Sequence, residues 1–267
     1  MKKTARKPLK FIYSQAEKLA AITFLITIAL FGISSWLALI PLLLFLLLCS
    51  IAPFCPQWSF FLPIISKSIT GSKGVALTFD DGPSPITTPI LLHLLKSYNY
   101  KATFFVIGRK AEKHPDLIAD IIADGHTIGN HSWQHDNLLM LRSRKRLKKD
   151  IKKTQATLET YGVLPLVFRP PVGITNPLLK AVLREEQLLA VTFSCRAFDY
   201  GNRKIANLAE RITSKLKPGN IILLHDIEPE TEDAVQEWKK EINILFATLV
   251  KEGYEVLPLE QLIGSGV

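Results

Sequence analysis

Two histidines, His131 and His135, stand four residues apart in the run HSWQH. One helical turn separates residues at that spacing, so both imidazoles can reach one cation. The run lacks the glutamate of H-E-x-x-H, which sets it apart from a zincin protease. Upstream, TFDDG places two carboxylates side by side, Asp80 and Asp81. In extended chain they must point in different directions, so one can bind a metal while the other faces a water. One aspartate and two histidines leave coordination positions open for water and substrate, the layout of a catalytic rather than a structural metal centre. A metal so held lowers the pKa of a water and polarises a carbonyl. His225, in LLHD, can protonate a leaving amine. Arg169, in FRPPVG, can hold a carboxylate in its ionised form. Together these groups describe metal-assisted hydrolysis of an amide or an ester. Singly, DDG reads as a turn and RPP as a rigid loop, and His93, His114 and His126 read as structural.

The elements that must position these residues alternate. Short apolar runs at 74–79, 102–107, 126–131, 166–169, 188–193, 220–225 and 254–259 read as strands. Helical patterns separate them at 85–98, 114–125, 143–161, 176–186, 204–216 and 232–253. This order argues for βαβ units and a parallel sheet or barrel. In parallel barrels chemistry gathers at the carboxyl ends of strands. TFDDG, HSWQH, FRPPVG, SCRAFDYG and LLHD all fall at or just after such ends.

In this order and spacing, TFDDG, HSWQH, RPPVG, FDY and LLH resemble the polysaccharide deacetylase family (the NodB-homology domain, carbohydrate esterase family 4). The resemblance covers roughly residues 72–262. It implies a distorted (β/α) barrel and metal-dependent removal of acetyl groups from sugars such as N-acetylglucosamine. Carried onto this chain, it makes Asp80 the catalytic base and Asp81, His131 and His135 the metal ligands. His225 becomes the acid, Arg169 positions Asp80, and Asp199 orients and tunes His225. Pro171 and the backbone N–H near Val172 border the oxyanion, an interaction of a kind worth about 3–4 kcal/mol. Leu223 and Tyr200 line the substrate pocket. The metal implied is one divalent ion, zinc by default, with cobalt, nickel or manganese as alternatives. The chain departs from the family pattern at Val172, where an aromatic is common, and in RAFDY, which carries Arg196 for an aspartate and Tyr200 for a tryptophan. These changes alter the substrate pocket.

The N-terminal quarter has a different composition. Between Lys18 and Lys67 there is no charged residue, a stretch far longer than the roughly 20 apolar residues that cross a bilayer as a helix. Residues 1–18 read as a basic segment, 19–55 as membrane-spanning, 56–73 as a linker and 74–267 as the barrel. Two short spans joined near residues 32–36 fit best; one long kinked span is the rival. The run is too long for a signal-peptide apolar region. The basic cluster at residues 2–10 favours a cytoplasmic N-terminus. Residues 74–267 then lie outside after one crossing and inside after two, and the family's usual substrates favour outside.

The chain has 267 residues, a net charge of +9 and three cysteines without a C-x-x-C pair. No disulfide framework follows from that count. The dense basic run at 142–153 has no nucleic-acid-reading motif beside it, so it reads as a solvated face or one resting on anionic lipid. The partners expected are therefore an acetylated glycan or a lipid-linked sugar, and a membrane, with no nucleic acid. A non-catalytic sugar-binding barrel is the alternative to an enzyme.

Overall fold

The computed structural model describes residues 13–68 and 74–264. The basic cluster at 2–10 and the end of the expected linker, 69–73, lie outside those residues.

The chain opens with two helices, α1 (Gln15–Phe31) and α2 (Ser35–Ile51). Ser14 starts α1 with a capping box: its hydroxyl accepts from Glu17 N, and the Glu17 carboxylate accepts from Ser14 N. A turn at residues 32–34, closed by Ile33 N and Ser34 N donating to Leu30 O, sends α2 back against α1. Leu43, Leu44, Leu46 and Leu47 of α2 are exposed. Among the described residues one helix, Ser35–Phe54, is long and apolar enough to cross a membrane.

The stretch read as a linker does not form a tether where it is described. Phe60, Phe61 and Leu62 are buried with Ala52, Phe168 and Leu179, and the last turns of α2 pack on this cluster through Phe45 and Leu48. A short strand, β1 (Ile64–Ile65), then joins the sheet beside β6 (Leu189–Val191). The physical cause is composition: the WSFFLPII run offers too much apolar surface to leave in water.

The remaining elements are β2 (Ala76–Asp80), α3 (Thr87–Ser97), β3 (Ala102–Val106), α4 (Gly108–Lys113), α5 (Pro115–Ala123), β4 (Thr127–Asn130), α6 (Arg144–Glu159), β5 (Val167–Phe168), α7 (Pro177–Glu185), β7 (Cys195–Arg196), α8 (Leu208–Thr213), β8 (Ile221–His225), α9 (Glu232–Lys251) and α10 (Leu259–Ile263). The strands run in the order β1-β6-β5-β4-β3-β2-β8-β7, all parallel. Only residues 192–194 separate β6 from β7, yet β6 pairs with β5 and β7 with β8. The sheet therefore curls until one continuous segment touches both sides, a distorted (β/α) barrel.

Strands β2 and β3 are buried along their whole length, as expected where helices cover one face and a barrel interior the other. Trp238 and Phe246 of α9 and Leu91 and Leu95 of α3 fill the outer layer. Inside, Phe105, Val167, Val191 and Ile221 pack on Leu259, Leu262 and Ile263 of α10, which plugs the amino-terminal mouth. The run 254–259 is not the strand its composition suggests. Val256 makes one bridge to Val75, and Pro258, which has no N–H for a ladder, caps α10 instead. The basic run at 142–153 is the start of α6, and its Arg144 and Lys148 pair with Glu185 of α7.

Gly129 in β4 shows how tightly the interior is filled. A Cβ there would lie 2.5 Å from Cδ1 of Phe105 and 3.1 Å from Cγ2 of Val167. We predict that Gly129→Ala destabilises the protein by about 1–3 kcal/mol through overpacking. The check is the midpoint of denaturant unfolding of the full chain in detergent. An unchanged midpoint would mean the Phe105 ring has room to move.

Candidate active site

Asp80 is the last residue of β2 and lies opposite His225, the last residue of β8, in the parallel register. Beyond it the chain leaves the sheet abruptly, with Asp81 in the left-handed region at φ 73°. The two carboxylates thus diverge through a backbone turn rather than through strand alternation. Gly82 follows, where a Cβ would lie 2.2 Å from Oδ2 of Asp226. The buried Asp226 holds this turn in place. Its carboxylate accepts from the Thr87 and Thr88 hydroxyls, both at 2.6 Å, and its N–H donates to Asp80 O at 2.7 Å. Burial pushes the Asp226 carboxyl up to about 6, against the pull of the two hydroxyls.

Arg169 leaves the end of β5 and crosses the barrel interior, 1% exposed. Nη1 donates to Oδ1 of Asp80 at 2.6 Å and to the Thr78 hydroxyl at 2.8 Å. Thr78 can accept because its own proton goes to Ile222 O at 2.6 Å. Nη2 and Nε donate to Thr192 O and Val191 O at 2.8 and 3.3 Å. The guanidinium also stacks on Phe105, 4.0 Å from the ring centroid. Asp80 is thereby fixed in one orientation by a charge-assisted bond.

His131 and His135 do not sit on a helix. Residues 131–136 form a loop after β4, with Ser132 at φ 69° and His135 at φ 55°. Side-chain bonds hold the loop where helical bonds were expected. Asn130 Oδ1 accepts from Ser132 N at 2.9 Å, and the Ser132 hydroxyl accepts from His135 N at 3.0 Å. Asn130 is anchored in turn by its amide, which donates to Ile151 O and to Gln155 Oε1 of α6. His131 Nδ1 lies 2.7 Å from Arg169 O. A carbonyl only accepts, so Nδ1 carries a proton, and in the neutral ring Nε2 is left bare toward Asp81.

Oδ1 of Asp81 lies 3.0 Å from His135 Nε2 and 3.5 Å from His131 Nε2. One ligand atom from each of these three residues lies within 4.8 Å of the others. Oδ1 of Asp81 is buried and accepts no hydrogen bond. Burial opposes its charge, but His131, His135 and His225 hold the Asp81 carboxyl far below the usual range. A buried, ionised oxygen without a hydrogen-bond donor, facing Nε2 of two imidazoles, is what a divalent cation requires, so the residues fit a metal.

Across the cleft, His225 Nδ1 lies 2.8 Å from Oδ2 of Asp199. Burial favours the neutral ring, yet the hydrogen bond and charge of Asp199 outweigh it and raise the His225 pKa. Asn202 ties this pair together. Its N–H reaches Asp199 Oδ2 at 3.4 Å, and its amide donates to His225 O at 3.1 Å and Ile227 O at 2.7 Å.

A cleft of about 600 Å³ opens over these groups. Asp80, Asp81, His131, His135, Arg169, Val172, Asp199, Tyr200, Leu223 and His225 all border it, and Pro171 lies buried behind Val172. Val172 adopts φ 52°, ψ 12°, a costly conformation for a β-branched residue. Thr78, Asn130, Asn202 and Asp226 are site residues that carried no role in the sequence reading. Three of them lie inside or beside quoted motifs, TFDDG, HSWQH and LLHD, and signalled by adjacency alone; Asn202 follows FDYG.

The polysaccharide deacetylase profile matches residues 67–191. A peptidoglycan-N-acetylglucosamine deacetylase of Listeria monocytogenes, PgdA, is 32% identical over 203 residues, 76% of this chain; the chain spans 41% of that protein's length. A peptidoglycan-N-acetylglucosamine deacetylase of Bacillus cereus is 32% identical over 72% of this chain and 88% of its own. Among solved structures, the Bc1960 peptidoglycan N-acetylglucosamine deacetylase superposes with a TM-score of 0.69 at 30% identity, covering 76% of this chain and 94% of that one. The Bacillus cereus relative and the Bc1960 structure are matched over nearly their whole length, and the chain belongs to the polysaccharide deacetylase family.

Proposed function

We propose that the protein is a metal-dependent hydrolase that removes acetyl groups from an N-acetylhexosamine saccharide. The observation that carries this reading is the pairing of Asp80 with buried Arg169, directly beside the Asp81–His131–His135 cluster and opposite the His225–Asp199 pair. A divalent metal held by Asp81, His131 and His135, zinc by default, would polarise the acyl carbonyl and acidify a water. Asp80, held by Arg169, is placed to take the proton of the attacking water. His225, protonated on both nitrogens, donates from Nε2 to the leaving amine while Nδ1–H stays on Asp199. Leu223, Tyr200 and Val172 shape the wall that the acetyl group and sugar meet.

Release of acetate from N-acetylglucosamine oligomers by the zinc-loaded full chain is the direct test. Asp80→Asn should lower kcat by at least about 100-fold while the bound zinc, counted by elemental analysis, stays at the wild-type level. His131→Ala should lose the metal as well as the activity. Equal zinc content in the two variants would overturn the assignment of roles.

The His225 proton gives a pH signature. With its pKa raised in the folded enzyme, the ring is a competent acid below that pKa, and activity falls as pH rises through it. Asp199→Asn removes the raising influence, so the alkaline limb of the kcat/KM profile should move to lower pH. A limb that stays in place would assign it to another group.

The apolar helices support a membrane anchor, and their docking bears on the side. Ala16 N at the start of α1 donates to Phe60 O, and Pro53 O just beyond α2 accepts from Thr175 N. Both ends of the hairpin are therefore fastened to the barrel, which favours the two-crossing reading, with the barrel on the side where the chain enters α1. With the basic cluster read as cytoplasmic, the positive-inside tendency then favours a cytoplasmic barrel, the opposite of what the resemblance implies. This favours a second reading of the substrate, an acetylated sugar carried on a lipid. A green fluorescent protein fused after Val267 should fluoresce, and alkaline phosphatase at the same position should be inactive. The reverse pattern would place the barrel outside.

A further inference from the structure

A second recess of about 210 Å³ lies beside the cleft, and Phe193, Arg196 and Phe198 line both. Its outer wall is Pro56 and Gln57, the residues that follow the apolar segment Ser35–Phe54. Lys215 closes the other side. Two cations therefore share one small space. The Arg196 guanidinium stacks on the Phe198 ring at 4.0 Å from its centroid, and Lys215 Nζ approaches the same ring at 5.2 Å. Among the described residues, no acidic residue lines the recess. The ion pairs of the described residues lie elsewhere, and none involves Arg196 or Lys215. Two like charges at one aromatic ring repel each other, and an anion between them would relieve that repulsion.

The place of the recess bears on which anion would suit it. A planar guanidinium fork with an exposed ammonium beside it suits a phosphate, which accepts from both. The recess adjoins the proposed sugar cleft through Phe193, Arg196 and Phe198, and the end of the apolar segment through Pro56 and Gln57. A ligand filling both would have an acetylated sugar, then an anion, then a lipid at the bilayer.

We propose that the recess between Arg196 and Lys215 binds the phosphate of a lipid-linked acetylated saccharide, and so selects that substrate over a free glycan. The proposal rests on the deacetylase reading above and on the hairpin as membrane anchor.

The test uses the full zinc-loaded chain in nanodiscs of neutral phosphatidylcholine, comparing wild type with R196Q/K215Q. The first readout is binding of decaprenyl phosphate by native mass spectrometry, which needs no turnover. We expect the double variant to bind at least about tenfold more weakly, the loss of two charge-assisted contacts. The second readout is the ratio of kcat/KM for decaprenyl-phosphate-linked N-acetylglucosamine to that for chitotetraose. That ratio should fall by about tenfold or more in the variant. Equal binding, or an equal loss for both substrates, would overturn the proposal. If replacing phosphatidylcholine with phosphatidylglycerol competes with decaprenyl phosphate in the wild type, the recess takes bilayer headgroups, and selection of substrate is refuted. If decaprenyl phosphate binds through the two cations but neither sugar loses acetate, the deacetylase reading fails and the phosphate site stands.

Discussion

A single buried cation organises this barrel. Arg169 touches both the proposed base and the proposed metal site. Its side chain fixes Asp80, and its carbonyl fixes the ring of His131. Its N–H donates to Asn130 O at 3.0 Å, and Asn130 in turn builds the loop that carries His135. Stripping water from a guanidinium costs several kcal/mol, and only dense pairing offsets that. The barrel supplies a carboxylate, a hydroxyl, two carbonyls and an aromatic face. These partners come from β2, from β3 and from the end of β6, so the strands must close around Arg169 before any of its bonds exist. Fold and site are in this sense one constraint.

That coupling explains what could be read from sequence. Asp80, Arg169 and His225 sit where apolar runs stop, and a parallel barrel converts each stop into a place on one rim. The order of βα units was equally plain, because parallel strands buried on both faces, such as β2 and β3, are unbroken apolar runs. Local conformation between strands was not legible. His131 and His135 have helical spacing, yet Asn130 and Ser132 give the backbone side-chain partners that outcompete a helical turn. Thr78, Asn202 and Asp226 were invisible for a related reason. A threonine or asparagine becomes a site residue only through what folding brings opposite it, here Arg169, His225 and the hydroxyls of α3. The strand β1 was missed because two residues of strand have no periodicity to detect.

The joint between the apolar hairpin and the barrel changes what kind of enzyme this can be. A flexible tether would let a catalytic domain sample substrate over tens of ångströms. Here Ala52 is fully buried in a cluster that also holds Phe168 of β5, so α2 ends inside the domain rather than at a leash. The reach of the proposed active site is then set by the size of the barrel. A substrate that comes to the bilayer surface suits such an enzyme better than one that must be searched for in a polymer mesh.

The same joint braces the most strained part of the cleft. Val172 holds a left-handed conformation that costs a β-branched residue about 1–2 kcal/mol. Such strain persists only where neighbours over-determine it. Pro170 and Pro171 constrain the chain before Val172, and Gly173 at φ 73° follows it, so close to Pro56 that a Cβ would lie 3.2 Å away. Thr175 N then bonds Pro53 O, and the Thr192 hydroxyl bonds Pro56 O at 2.6 Å. Thr192 also presents its carbonyl to Arg169. The segment leaving the apolar helix thus supports both the proposed oxyanion loop and the arginine beneath it. An isolated barrel cut free at residue 74 would lose those supports, and the segment that follows the proposed anchor is better understood as a brace of the active site than as a tether.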